Sequence, residues 1–588
     1  TNNATNLEEA LNIPGFHRFY SSNTSFASYG SLGVDNLAIY KDDIPLIMDH
    51  NTGYDLRAIP VWDIAYIEVH FAPNTAIVKN SSGIVIKLIS KKIKDQPVGA
   101  QVSLINTSAS DFHVNTVISL SNKIHTGQIG LNRSFTTPVY MDASDRGSII
   151  SAAERYDINL KYTFKILNSV NLAIGSDHSI LNSQDRGEII KGTTRVRDIN
   201  QSFRRHNLYG TLVSDLSKNH KLTLNGLIHR YTDKQTSLDK DLSTGKQQEY
   251  PGTDGPFTTG YDQGYLNVLL ESQNKAFNYT LGVEVNNIRD NIFSNIDAIS
   301  PEYADYSAIG MFEYAFKESF VLQGGAKFLT NSLTQSYFLP NGRITLAPNK
   351  TVQLVGSYQK SISYPLFSEI FYPTEMTNGP QNNIQILPSD INTSSVKVVI
   401  NKNKVKLHSG FIYISKSKEP RTISSGDLAN VGQSSSTATF ASLLYSSKHV
   451  NLRPSLVLHG INSTRDTGSL SFFYPEANIF FNGTLPNTKL KLSATARLLG
   501  KHSTTYLVDN SLYLREIEEN NSISISASHL FIDDKLNIRF GINNLRNSTY
   551  INESQYLLDS IDRTLLSQQS VIANRGRSFF FKLQYNIK

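Results

Sequence analysis

Asp55–Lys92 reads DLRAIPVWDIAYIEVHFAPNTAIVKNSSGIVIKLISKK. Two alternating apolar runs stand in it, Ile64-Ala65-Tyr66-Ile67-Glu68-Val69 and Ile84-Val85-Ile86-Lys87-Leu88-Ile89, divided by residues rich in Pro, Asn, Ser and Gly. Alternation with period two sends successive side chains to opposite faces of a strand, and the intervening residue types favour turns. The stretch therefore predicts strand, loop, strand, and the two strands are expected to close a small sheet.

The neighbouring residues extend this pattern. Before it come Leu7 to Leu11 with Ile13-Pro14-Gly15-Phe16, then Tyr29-Gly30, then Ile39-Tyr40-Lys41-Asp42-Asp43-Ile44-Pro45. Within it stand Ile59-Pro60, Ile64 with Ile67-Glu68-Val69, Phe71-Ala72-Pro73, and Ser82-Gly83-Ile84-Val85-Ile86 running on to Lys92. In order and spacing, over about ninety residues, this series resembles the plug domain of TonB-dependent outer-membrane receptors. The family has Arg where Tyr29 stands, Gly where Asp43 stands, and Arg-Gly where Phe71-Ala72 stand. Family members use those arginines to lock the plug to carboxylates on the barrel wall, so their usual release mechanism does not carry over on these residues.

After Lys92 the chain becomes a long series of segments, each of about ten residues with alternating apolar and polar positions, as membrane-spanning strands require. Examples are Gln101 to Asn106, Tyr156 to Phe164, Asn207 to Leu216, Lys221 to Tyr231 and Phe277 to Val285. Asp215 to Lys221, Ala347 to Lys350 and Asn401 to Lys404 read as tight turns, whereas Lys234 to Gln263 and Tyr364 to Asn392 read as long polar loops. Counting from Val98 gives about 22 strands. Gly310-Met311-Phe312-Glu313-Tyr314, Ser357 to Tyr372, and Asn574-Arg575-Gly576-Arg577-Ser578-Phe579 are similar to strands of the same receptors, so the resemblance covers nearly the whole chain. The expected architecture is mainly β: a transmembrane antiparallel β-barrel of about 22 strands with an N-terminal α+β plug domain inside the lumen. The plug is expected at 1–95 and the barrel at 96–588.

Composition fits a barrel. The chain has 588 residues, with 29 Tyr and 29 Phe against one Trp, which suits the aromatic girdles of an outer-membrane barrel. No apolar run approaches the roughly 18 to 20 residues of a spanning helix. Cys is absent, which excludes a disulfide framework, Cys-ligated zinc and an acylated N-terminal Cys. A net charge of +6 is small for this length and no basic stripe is present, so nucleic acid is not an expected partner. The polar start, Thr1 to Asn6, carries no secretory signal, so the chain is either a mature or trimmed form or one that is not exported, and the resemblance implies trimming.

Candidate ligand-binding residues are Asp49, His50, Asn51 and Tyr54 in a loop of the plug, with Tyr261, Phe371 and Tyr372 among loop aromatics able to stack on a ligand or occlude the mouth. Tyr250 and Phe257 belong to the same aromatic group. Asp42-Asp43 with Asp49, His50, Asn51 and Asp55 offers oxygen ligands for a hard cation, but lacks EF-hand spacing and reads rather as a solvated acidic loop. Glu68, Glu271, Glu284 and Glu313 are candidate plug–barrel contacts. His70 reads as a packed or hydrogen-bonded strand residue. The family's haem receptors use a plug His and another in the loop after Arg-x-Pro; Tyr364 to Asp390 has no His, which disfavours haem. No Gly-x-Ser-x-Gly, phosphate-cradling Gly-Lys-Ser/Thr or His-Glu-x-x-His is present, so no catalytic residues, metal site or cofactor are expected.

The resemblance implies a bacterial outer-membrane transporter taking up a scarce nutrient or metal chelate through a plugged barrel, with outer-membrane lipid and periplasmic TonB as partners. The alternative, drawn from the replaced Arg and Gly positions, is a transport-inactive plugged barrel serving as a structural or accessory subunit among other outer-membrane proteins or lipoproteins.

Overall fold

Ile84–Ser90 is the strand on which the N-terminal sheet is assembled. It pairs in parallel with Leu37–Lys41 and antiparallel with Ile64–Phe71, while Ile44–Leu46 closes the far edge against Leu37–Lys41. These relations come from a computed structural model that describes residues 6–11, 16–21, 24–29, 37–46, 56, 59–71, 84–91, 97–140, 146, 148–250, 257–274, 276–290, 302–317, 319–332, 334–363, 387–422, 428–465, 468–508, 511–547, 550–558, 563–572 and 576–587. Near-continuous apolar runs such as Leu37-Ala38-Ile39-Tyr40 suit a strand buried on both faces. Leu37, Ile39, Ile84, Ile86 and Leu88 enter one apolar cluster with Leu7 and Leu11; Ala38, Tyr40 and Val85 form another on the opposite face. Among the described residues the helical part of this region is one four-residue turn, Leu7–Ala10, which leaves it with less helix than an α+β plug implies.

Lys41 to Ile44 form a hairpin rather than one continuous strand. Asp42 and Asp43 both have positive φ, 51° and 66°, as a two-residue turn matched to the strand twist requires. Asp tolerates that region through its short polar side chain, which is how the turn forms without the family's Gly.

From Val98 onward the chain forms a closed antiparallel barrel of 22 strands, sealed by Ser578–Ile587 against Val98–Thr107. A further short strand, Gln247–Glu249, pairs only onto the end of His220–Asp241. Along Ala152–Leu167 the outward face carries Tyr156, Ile158, Leu160 and Tyr162, all exposed, while Arg155, Asp157 and Asn159 face inward and are buried. The same alternation puts Leu208, Ile228, Val283, Phe338 and Phe473 outside. Apolar outside and polar inside is the pattern of a barrel solvated by lipid. Among the described residues no helix is long and apolar enough to cross a membrane.

Many of the strands are longer than the expected ten residues, although Leu536–Asn543 has only 8. Arg195–Ser217 has 23 residues and His220–Asp241 has 22, so their ends rise past the length a bilayer needs. Lys234 to Gln263, expected to be one long loop, is largely strand: it holds the end of His220–Asp241 and the start of Phe257–Ser272. Tight connections such as Ser217 to His220 and Lys402 to Val405 mark one end of the barrel. At the other end two hairpins pair into a four-stranded sheet of His502–Val508, Ser511–Ile517, Tyr550–Leu558 and Arg563–Ile572.

The N-terminal sheet lies within the barrel lumen. Its main apolar cluster continues into the inward-facing Ile391, Ile412, Ile414, Ala438 and Val457, while Ile44 packs on Leu227 and Tyr265 from another part of the wall.

Candidate functional site

The wall opposite Ile391 and Ile412 meets the small sheet through charge. Lys41, at the end of Leu37–Lys41, sends its ammonium between Asp63 of the sheet region, at 2.6 Å, and Asp177 of the barrel, at 3.3 Å. The neighbouring Asp42 accepts from the wall's Lys161 at 2.8 Å and, through its other oxygen, from the Ser90 backbone N–H at 2.9 Å. Asp43 pairs with Lys87 at 2.5 Å within the sheet. Asn159 donates to Asp177 and so orients the carboxylate that Lys41 meets.

Pairing keeps Lys41 and Asp42 charged. Burial opposes the Lys41 ammonium, but the carboxylates of Asp177 and Asp63 outweigh it and hold the amine well above the usual lysine range. Burial likewise opposes the Asp42 carboxylate, yet Lys161 and the Ser90 N–H keep its pKa below the ordinary value. Removing one partner of such a buried pair typically costs about 3–5 kcal/mol, since the other charge is left uncompensated. The sheet is thus held by a broad apolar contact on one side, and on the other by ionic contacts flanked by the smaller apolar one of Ile44.

Asp42 and Asp43 are each paired with a lysine rather than gathered around a cation, Asp42 half-buried against the wall and Asp43 exposed to solvent at the turn. Among the described residues no group of three or more His, Asp or Glu side chains is placed to hold a metal. Asp49, His50, Asn51, Tyr54, Asp55, Phe371 and Tyr372 lie outside the described residues.

Glu68 pairs with His70 two residues along its own strand, at 3.0 Å. Glu271 reaches Lys221 at 3.5 Å, and Glu313 accepts from Asn278 at 3.0 Å and from Gln323. Glu284 is deeply buried, bonded to Lys327 at 2.9 Å and to the Tyr265 hydroxyl at 3.1 Å. Tyr265 in turn packs on Ile44, so Glu284 stands one side chain away from the small sheet. Tyr261 faces the lumen four residues nearer the long-connection end, buried and stacked against Tyr231 at 5.0 Å and His229 at 5.3 Å. Tyr250 lies under the Arg197 guanidinium, 3.3 Å from its ring centroid.

The carriers of the lock, Lys41, Asp63, Lys161 and Asp177, were not among the expected contacts. Of the four, Asp63 sits in the decisive stretch, but a lone Asp before a strand carries no distinctive signal.

The barrel and its luminal sheet match solved structures along almost their whole length. The siderophore receptor PirA from Acinetobacter baumannii superposes with a TM-score of 0.78 at 15% identity, over 99% of this chain and 96% of that one. The FrpB iron transporter from Neisseria meningitidis gives 0.76 at 11% identity, over 99% and 97%. The ferric enterobactin receptor PfeA from Pseudomonas aeruginosa gives 0.77 at 11%, over 99% and 95%. The chain has the TonB-dependent-receptor fold. At these identities the likeness is one of fold. No family model and no curated protein matches the sequence. The apolar outer face and the 22-strand closure are those of a barrel embedded in a membrane. Within that fold, the small sheet sits in the lumen against the inward-facing wall.

Proposed function

We propose that the protein is a TonB-dependent outer-membrane importer of a scarce nutrient or metal chelate, with residues 1–95 as its plug and 96–588 as its barrel. The observation that carries this reading is the asymmetric seating of the luminal sheet, apolar against Ile391, Ile412 and Ile414 and ionic against Lys161 and Asp177. Pulling the plug separates the ionic side at lower cost, because water entering the lumen rehydrates each released charge, whereas the apolar side gains nothing from water. The ionic side then opens as the passage while the apolar side stays docked. The iron and siderophore receptors that share the fold make a ferric chelate the first cargo to test.

The test is uptake by a deletion strain of a panel led by ferric chelates, with TonB present or absent, together with a variant carrying Asp42→Cys and Lys161→Cys. The chain has no cysteine, so a short bis-maleimide links only that pair. Transport that needs TonB and stops on linking supports the reading. A second reading, a plugged barrel with a structural role, is favoured by Tyr29, Asp43 and Phe71-Ala72 standing where the family has Arg and Gly; it predicts no TonB-dependent uptake and a stoichiometric companion on gentle purification.

A further inference from the structure

A cavity of about 310 Å³ lies between the small sheet and the part of the barrel where the first and last strands meet. From the sheet region it is lined by Trp62 and Lys91, and from the wall by Ser103, His113, Arg539 and Lys582 among others. Its lining holds three basic side chains and no carboxylate, and one of them, Lys91, donates to the Trp62 backbone carbonyl at 2.6 Å. The carboxylate acting on Lys91 is Asp63, and Asp63 is already paired with Lys41 at 2.6 Å. Arg539 and Lys91 both act electrostatically on Lys582, so like charges are gathered where repulsion disfavours them. Two buried lining groups that can donate, Trp62 Nε1 and Ser103 Oγ, have no hydrogen-bond partner among the described residues. A buried donor without an acceptor is costly, and like charges held close together repel.

We propose that this cavity is an anion-binding site, taking a small ligand that presents carboxylate or phosphate oxygens. Lys582 and Arg539 bind it from the wall and Lys91 from the sheet. Guanidinium and ammonium groups make their strongest hydrogen bonds to such oxyanions, and the volume lies at the lower end of small-molecule pockets. The site needs no transport to be occupied, so it stands or falls apart from the importer reading.

Trp62 is the chain's one tryptophan and lines the cavity, so its fluorescence reports occupancy. Purified full-length protein in detergent is titrated with citrate and, separately, with inorganic phosphate, against sodium chloride at matched ionic strength. The expected result is a saturable change with at least one oxyanion that chloride does not reproduce. A response to citrate alone assigns a carboxylate ligand, and a response to both assigns oxyanions generally. Lys582→Gln should weaken the response by about tenfold or more, while Lys582→Arg retains it, as loss of one charge-assisted bond implies. If circular dichroism shows that Lys582→Gln fails to fold, Lys91→Gln carries the same comparison from the other side. No saturable change, an equal change with chloride, or an undiminished response in the folded Gln variants would overturn the proposal.

Discussion

The six-membered ring of the Trp62 indole meets the barrel wall at Gly130 by its Cη2 edge, close enough that a Cβ there would fall 2.7 Å from Cζ3 and overlap Cη2. Gly130 faces the lumen from His125–Thr136, so this contact joins the sheet region to the wall beside the ionic side. Gly130→Ala should push the indole away. Overpacking of this kind costs about 1–3 kcal/mol. The check is the emission of Trp62, which should shift red and become more open to acrylamide quenching in the variant, with barrel circular dichroism unchanged.

Lys41→Met leaves Asp63 and Asp177 facing each other without their shared cation. The seating of the sheet should weaken by about 3–5 kcal/mol. Adding Asp177→Asn should return part of that loss, since the wall charge no longer lacks a partner. A double-mutant cycle read from denaturant unfolding at Trp62 measures the coupling; additive losses would mean that Lys41 and Asp177 do not act together.

The Asp42-Asp43 turn makes opposite predictions for two substitutions. Asp43 has φ of 66°, so Asp43→Gly should be tolerated at the backbone and cost little beyond the Lys87 pair, while Asp43→Val places a β-branched residue in a region it resists. Thermal unfolding should rank Val well below Gly.

The ionic contact should be insensitive to pH across the neutral range. Asp42 has a depressed pKa in the folded protein, so its contribution is complete above the unfolded value of about 3.9 and is lost as pH falls through the lower folded value. Lys41 has a raised pKa, so its contribution is complete below the unfolded value of about 10.4 and is lost as pH rises through the higher folded value. The Lys41–Asp177 coupling energy from the double-mutant cycle should therefore be flat from about pH 5 to 9 and fall only toward strong acid or strong base. A transition near pH 6 to 7 would contradict this pairing.

Period-two alternation was legible wherever one face of a strand meets lipid or a packed core. Ile64–Phe71 and Ile84–Ser90 appear almost as expected, and the lipid-facing rows reveal the barrel. Above the bilayer no face must be apolar, and there the signal fails: the end of His220–Asp241 is held by polar pairs such as Arg197 with Asp239, and reads as loop. The lock was illegible for a different reason. Asp42 and Lys161 are 119 residues apart, and an inward lysine on a barrel strand resembles any other polar luminal position. Glu284 faces inward as its place in a strand allowed, yet nothing local reveals that its charge is met by Lys327, 43 residues away.

Ion conductance in planar lipid bilayers tests most directly whether the luminal sheet closes the barrel. The intact chain should pass no steady current, and the chain lacking residues 1–95 should form a wide, persistently open pore. An intact chain that conducts as freely as the truncated one, or a folded truncated barrel that stays shut, would contradict the account.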